Sequence, residues 1–406
     1  MKNLNFIALA IPFFSFFMLV EYWISRRQGK QFFNFPRVIS NLNIGIAERT
    51  LDIFVAVSFY FFYDYLHTHF AIFEIPSTFI WWIVLLLCTD FVFYWYHRFG
   101  HEINLFWSLH IVHHQSEDYN FTTGTRVTIF QAAVRTCFWA ALPIIGFPAP
   151  MIAVILMAHG VYPFFTHTRT VHKLGWLEYI FVTPSHHRVH HATNQQYLDK
   201  NYGNVFIFWD YLFGTFEPEK EEPVYGLTKP LESHSFLWQH FHYVFELGYA
   251  MRRAKGIRQK LGILFGPPEM LDPQIRAILE RKFRIHQDQK TKPATNEFNS
   301  YVLWQIVFTM CFLFLIILFK AYFSTFQLIL SALFILITLI NCGAILDHRN
   351  WVFHLEYSRL FVVWILMSCF LSASLLLLGM MLFGLVSILS YDRLQQRYLQ
   401  IVYRRV

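Results

Sequence analysis

Charge is what this chain has least of. Only 15% of its 406 residues are Asp, Glu, Lys or Arg, while 55% are hydrophobic and 20% aromatic; an ordinary soluble domain carries about 25% charged residues. That shortage excludes a water-soluble globule, which has too little core to hide so much apolar surface. Cysteine is scarce as well: Cys88, Cys137, Cys311, Cys342 and Cys369 lie in or beside apolar stretches without paired spacing, which excludes a disulfide framework and a CxxC metal site. No phosphate-cradling P-loop and no G-x-G-x-x-G turn is present. His101-Glu102 is not followed by a second histidine at position 105, which is Leu, so the H-E-x-x-H zinc protease pattern fails. The net charge of +7 does not point to nucleic acid, because the bases flank apolar runs: Arg26, Arg27 and Lys30 after the first, Arg393, Arg397, Arg404 and Arg405 at the end.

Long apolar runs are what is there. They occupy 6–24, 46–63, 79–96, 128–147, 150–166, 302–322, 325–344 and 359–390, near the ~20 residues a bilayer crossing takes. The last reads as two short helices broken around Ser372, Ser374 and Gly379. With 26–42 on the cytoplasmic side, alternate crossing places 64–78, 147–150 and 323–324 outside, and these hold no Lys or Arg, as the positive-inside rule requires. The N-terminus is then outside; Lys2, Lys320 and the intra-span Arg135 are the exceptions. The expected fold is an all-α integral membrane protein, a multi-spanning helical bundle with a cytoplasmic histidine-rich dimetal site. Three regions are expected: a membrane-embedded catalytic region over 1–215, a cytoplasmic or interfacial polar segment over 216–300, and a C-terminal transmembrane bundle over 301–406. Within the polar segment, 236–262 mixes aromatics with Arg252, Arg253, Lys255, Arg258 and Lys260, a pattern that suits either an anionic membrane surface or a solvated basic face.

Twelve of the twenty histidines fall between His97 and His191. Eight of them form three ligand-spaced clusters: His97 and His101 as H-x3-H, His110, His113 and His114 as H-x2-HH, and His187, His190 and His191 as H-x2-HH again. Residues three or four apart share a helix face, so each cluster can aim its imidazoles at one place. Eight imidazoles exceed what one ion takes, so two ions are the economical reading; imidazole suits iron, zinc, copper and nickel alike. The third cluster begins 73 residues after His114. A hairpin over 128–166, turned at Pro148-Ala149-Pro150, returns the chain to the same side and lets all eight meet. His167, closing the fifth run on that side, is a candidate ninth ligand, and His159 lies two turns deeper. His186 and His172 are read as local hydrogen-bonding residues. Asp90, seven residues before His97, could orient a ligand imidazole or pair with another helix; Glu102 is a second tentative catalytic position, with Glu117 and Asp118 nearby.

These clusters, in this order, resemble the fatty acid hydroxylase/sterol desaturase superfamily of membrane non-haem diiron oxygenases. The surrounding words are similar to its alkylglycerol monooxygenase subgroup: His97-Arg98-Phe99-Gly100-His101-Glu102, Thr183-Pro184-Ser185-His186-His187-Arg188-Val189-His190-His191, Asp199-Lys200-Asn201-Tyr202-Gly203, Trp209-Asp210 and Val224-Tyr225-Gly226-Leu227. The resemblance covers roughly 35–240 in detail. It implies that the eight box histidines hold two irons, that Glu102 matches an acidic family position, and that O2 hydroxylates the carbon beside the ether oxygen of a glyceryl ether, with tetrahydrobiopterin as reductant. It identifies no pterin contact. A sterol, fatty acyl or other membrane lipid remains an alternative substrate. A membrane metal transporter or binding protein is the alternative class, although a transporter places its ligands near mid-bilayer, and here all but His159 fall at the ends of runs. No nucleic-acid partner is expected, and either the bacterial inner membrane or the endoplasmic reticulum fits.

Overall fold

The computed structural model describes residues 4–286, 296–368 and 374–403. Among them the regular structure is helical, with isolated bridges between Phe181 and Phe206 and between Ala192 and Tyr225. In chain order the helices are α1 Ala10–Arg27, α2 Phe35–Phe70, α3 Phe79–Glu102, α4 Asn104–His114, α5 Gln131–Trp139, α6 Ala141–Ile145, α7 Ala149–Thr166, α8 Pro184–His190, α9 Phe208–Phe213, α10 Phe236–Arg253, α11 Ile257–Phe265, α12 Gln274–Lys282, α13 Asn296–Leu318, α14 Thr325–Leu346, α15 Val352–Ser368, α16 Ser374–Leu389 and α17 Tyr391–Tyr403.

Five helical stretches among the described residues are long and apolar enough to cross a membrane: Phe6–Arg27, Phe79–Glu102, Ala149–Thr166, Phe298–Leu318 and Thr325–Leu346. The eight apolar runs therefore do not all become spans. α2 is long, but Glu48, Arg49 and Asp52 break its apolar run, and Arg49 pairs with both acids. The run over 128–147 folds as α5 and α6, which together occupy only Gln131–Ile145, about 22 Å at 1.5 Å per residue. The run over 359–390 falls in α15 and α16; of the residues at which a break was expected, Ser372 lies outside the described residues, Ser374 opens α16 and Gly379 lies within it.

The chain divides into two compact units, one of Phe16–Glu232 with Gln239–Lys282, the other of Met1–Ser15, Ser233–Trp238 and Phe283–Val406. The first holds the histidines. Its hairpin turns at Gly146, whose φ of +129 and contact with the Phe73 carbonyl leave no room for a Cβ. There Ile72 N–H donates to the Ile144 carbonyl at 2.8 Å and Phe73 N–H to Ile145 at 3.2 Å. The α2–α3 loop and the hairpin turn therefore lie together, at the end of the bundle away from the histidines, as alternate crossing requires. In α7, Pro163 has no N–H for the carbonyl of His159; Asn204 Nδ2 fills the gap at 2.9 Å. In the second unit, Asp347 takes hydrogen bonds from Ser233 Oγ and from the N–H groups of His234 and Ser235. Arg359 of α15 reaches Gln305 of α13 at 2.6 Å and Thr338 of α14 at 3.1 Å.

Candidate metal centre

The last two turns of α3 carry His97 and His101, four residues apart and on one face. α4 begins two residues after α3 ends and carries His110, His113 and His114. His167 caps the C-terminus of α7. α8 starts on a capping box, in which Thr183 N–H donates to His186 Nδ1, and carries His187 and His190, with His191 as its C-cap. Nine rings from four elements converge in two groups. The ligating atoms of His97, His101, His110, His114 and His190 lie within 4.8 Å of one another, and those of His113, His167, His187 and His191 do likewise. The two H-x2-HH clusters are each split between the groups. Successive helical residues point about 100° apart, so His113 turns away from His114, and His190 from His191. The groups touch where the His114 and His191 rings stack, with centroids 4.3 Å apart.

Backbone carbonyls aim the rings. A carbonyl only accepts, so the ring nitrogen facing it carries the proton. His97 Nδ1 donates to Tyr202 at 2.7 Å, His113 Nδ1 to Arg126 at 3.0 Å, His167 Nδ1 to Pro163 at 2.6 Å and His190 Nδ1 to Lys200 at 3.0 Å. Each Nε2 is left with a bare lone pair. Two of these lone pairs face one another, His113 and His167 Nε2 being 3.2 Å apart, and that of His97 lies 3.0 Å from His110 Nε2. His167 Nε2 is also 3.1 Å from Nε2 of both His187 and His191. Without a cation between them such nitrogens repel. Bound at about 2.1 Å to one ion, adjacent imidazole nitrogens sit roughly 3–3.4 Å apart. His101 Nε2 and His190 Nε2 are buried with no hydrogen-bond partner, which the same reasoning explains.

Protonation does not compete at neutral pH. Burial, reinforced by neighbouring imidazoles, holds His110, His114, His187, His190 and His191 well below the ordinary imidazole range. Burial does the same to His113 and takes His167 down to about 4. Nitrogen-only donor sets of five and four, largely buried, fit first-row divalent metal ions.

The second shell differs from expectation. Asp90 does not orient a box histidine. Fully buried, it accepts from His159 Nε2 at 2.8 Å, from Val205 and Phe206 N–H at 2.9 and 3.0 Å and from Trp209 Nε1 at 3.1 Å, which ties α3 to the chain before α9. His159 is thereby engaged with Asp90 and Asn204 and joins neither group. Glu102 turns outward to Arg98 at 2.8 Å, because one helical position beyond His101 the side chain leaves the ligand face. Glu117 and Asp118 pair with Arg37.

Sequence reasoning missed the loop 199–203, where Asp199 and Asn201 adopt positive φ and present the carbonyls of Lys200 and Tyr202. Asp210 pins that loop by accepting from Tyr202 and Gly203 N–H at 2.7 and 2.8 Å. It also missed Arg126, whose buried guanidinium binds Val112 O at 2.7 Å and Asn41 Oδ1 at 3.0 Å, and Glu21 of α1, which accepts from Thr168 Oγ1 and Phe121 N–H beside His167. A positive-φ pair cannot be read from Asp-Lys-Asn, and single charges in apolar runs signal burial without naming a partner.

The sequence model of the Fatty acid hydroxylase family matches residues 82–215, the stretch from α3 to the loop after α9. Alkylglycerol monooxygenase of Homo sapiens is 32% identical over 357 residues, 85% of this chain and 78% of its own length. The Danio rerio protein of that name is 32% identical over 333 residues, 81% and 74% of the two chains. Ornithine lipid hydroxylase OlsE of Rhizobium tropici is 31% identical over 169 residues, 40% of this chain and 50% of its own. No solved structure matches. With histidine groups placed at the ends of apolar helices and likeness running along most of its length, the chain belongs to the alkylglycerol monooxygenase family within the fatty acid hydroxylases.

Proposed function

We propose that the chain is a multi-pass membrane non-haem diiron monooxygenase that hydroxylates the ether-adjacent carbon of alkylglycerols, with His97, His101, His110, His114 and His190 holding one iron and His113, His167, His187 and His191 the other. The observation that carries this reading is the convergence of nine imidazoles in two adjoining groups at the polar ends of α3 and α7. Zinc has no redox chemistry, so O2 activation excludes it, and the resemblance to membrane diiron oxygenases supports iron over the other metals that imidazole suits. The reaction consumes O2, two electrons and two protons. One oxygen atom enters the C–H bond beside the ether oxygen and the other leaves as water; the resulting hemiacetal collapses to a fatty aldehyde and glycerol or its derivative.

The bound metal pair supplies O2 activation; the chain's residues hold and shield it. The carbonyls of Tyr202, Arg126, Pro163 and Lys200 keep the Nδ1 protons of His97, His113, His167 and His190 in place, so that the Nε2 of each of these four rings stays available. On the span side, Tyr96, His97, Gly100, Phe106, Leu109, His110 and Val134 leave a crevice of only ≈ 10 Å³, which limits water entry to the first group from that side. An ether lipid, its tail along the spans, presents its first chain carbons at this depth. Tetrahydrobiopterin is the reductant on this reading. The site faces the cytoplasm, in a bacterial inner membrane or the endoplasmic reticulum, as the basic residues gathered at the histidine end support.

The test is incubation of the iron-loaded protein in lipid nanodiscs with O2, tetrahydrobiopterin and a labelled alkylglycerol. Fatty aldehyde is expected. Turnover of an acyl or ornithine-containing lipid, with the alkylglycerol untouched, would overturn the substrate.

A further inference from the structure

A second feature of the histidine-bearing unit is a cavity of ≈ 280 Å³ that reaches both metal groups, through His101, His114 and His190 of the first and His191 of the second. Apart from His101, on the last turn of α3, its walls come from α4, from the C-terminal end of α8, from the loops around 191–199, 226–229 and 266–273, and from α10 and α12. None of these is a span. The cavity therefore approaches the metals from the polar side, opposite the direction from which a lipid tail arrives.

Its walls have a definite chemistry. Four carboxylates, Asp199, Glu246, Glu269 and Asp272, face two cations, Lys229 and Arg276. Both cations are already engaged. Arg276 donates from Nε to Glu246 Oε1 at 2.7 Å and from a terminal nitrogen to the Lys229 carbonyl at 2.8 Å, and Lys229 Nζ donates to the Pro273 carbonyl. The Glu246–Arg276 pair is itself buried, with side chains 5% and 8% exposed. A buried ion pair costs desolvation and is weak evidence of a stability role; here it fixes a carboxylate in a cavity wall. Trp107 supplies an aromatic wall beside the metal ligands, its ring centroid 5.2 Å from His101 and 5.6 Å from His114.

On the monooxygenase reading, which this inference rests on, two electrons and two protons must enter from a donor. We propose that this cavity is the donor's docking site, and that it selects a phosphate-free reduced heterocycle rich in N–H groups, the chemistry of a tetrahydropterin, against phosphorylated nicotinamide and flavin nucleotides. The adjacent N–H groups of such a ring meet a carboxylate two at a time, and a flat ring fits the Trp107 wall. A phosphate brought among surplus carboxylates is repelled. The donor's loss of two electrons and two protons balances the reduction of the second oxygen atom to water.

The experiment is steady-state kinetics in nanodiscs with both substrates varied, on wild type, Glu246→Gln and Glu269→Lys, with metal content measured on each. The expected result is a rise of tenfold or more in KM for tetrahydrobiopterin with Glu246→Gln. Glu269→Lys, an exposed position on the wall, should raise it several-fold. The KM for alkylglycerol and the metal content should stay at wild-type values. Should Glu246→Gln fail to accumulate, Glu269→Lys carries the test. A rise in the lipid's KM alone would make the cavity a headgroup site and overturn the proposal, as would unchanged donor KM in both variants. Anaerobic equilibrium binding of dihydrobiopterin, which needs no turnover, separates the two readings. Binding lost in the variants of a protein that oxidises no alkylglycerol sinks the reaction and keeps the cavity; turnover with donor KM unmoved does the reverse.

Discussion

At the scale of single residues, the centre depends on what stands behind each imidazole. A ring free to rotate offers either nitrogen, whereas a ring whose Nδ1–H is held by a carbonyl offers one lone pair in one direction. Tyr202 and Lys200 perform this for His97 and His190, and Asp210 holds the loop that carries both carbonyls. Replacing Asp210 by Ala leaves two backbone N–H groups and the Thr215 hydroxyl without their acceptor. We expect metal affinity and activity to fall by about 10–100-fold, the usual cost of losing an outer-shell partner, measured by metal titration of the purified variant. His167→Ala should be more selective. His167 Nε2 lies within 3.2 Å of the other three nitrogens of its group, so its loss should halve the metal content, while His172→Ala, an exposed position, leaves it unchanged. The eight clustered histidines were legible from spacing because helical periodicity is a local property, and His167 was a candidate from its place at the end of the fifth run. The division of each H-x2-HH cluster between two groups was not, because it depends on where α4 and α8 face each other. Asp90 and Glu102 illustrate the same limit: position along α3 placed Asp90 at the right depth, but its partners Val205, Phe206 and Trp209 come from more than a hundred residues away.

At the scale of elements, the hairpin between the second and third clusters decides whether a site exists at all. Its turn was readable from Pro148 and Pro150, but its outward limb is two short helices where one long span was expected. Gly146→Ala tests the turn. The backbone there has φ +129 and the added methyl meets the Phe73 carbonyl, so a destabilisation of about 1–3 kcal/mol is expected from the strained conformation, with more from the clash. Thermal unfolding in detergent should show a lowered Tm; an unchanged Tm would remove the close approach of the α2–α3 loop to the turn. Asp90→Ala tests the tie between α3 and the chain before α9. Each buried donor left without its acceptor costs about 1–3 kcal/mol, and four donors lose theirs, so the variant should scarcely accumulate, whereas Asp90→Asn keeps two acceptor lone pairs and should be recovered in part.

At the scale of the whole molecule, the shortage of charge and the long apolar runs point to a membrane protein before any motif is considered, and five helices of spanning length agree with that. Composition does not count the spans, since α2 is long enough to cross but carries Glu48, Arg49 and Asp52 inside its run. The chemistry is concentrated at the polar ends of those spans, where nine imidazoles converge and their nitrogens crowd one another. The central claim is that these nitrogens hold two irons that both serve O2 chemistry on a lipid. Its most direct test is metal analysis of anaerobically purified protein, correlated with aldehyde release across partly loaded samples. The account predicts that iron saturates at two per chain and that activity rises with the doubly loaded fraction. Full activity at one metal per chain, or with zinc filling both groups, would contradict it.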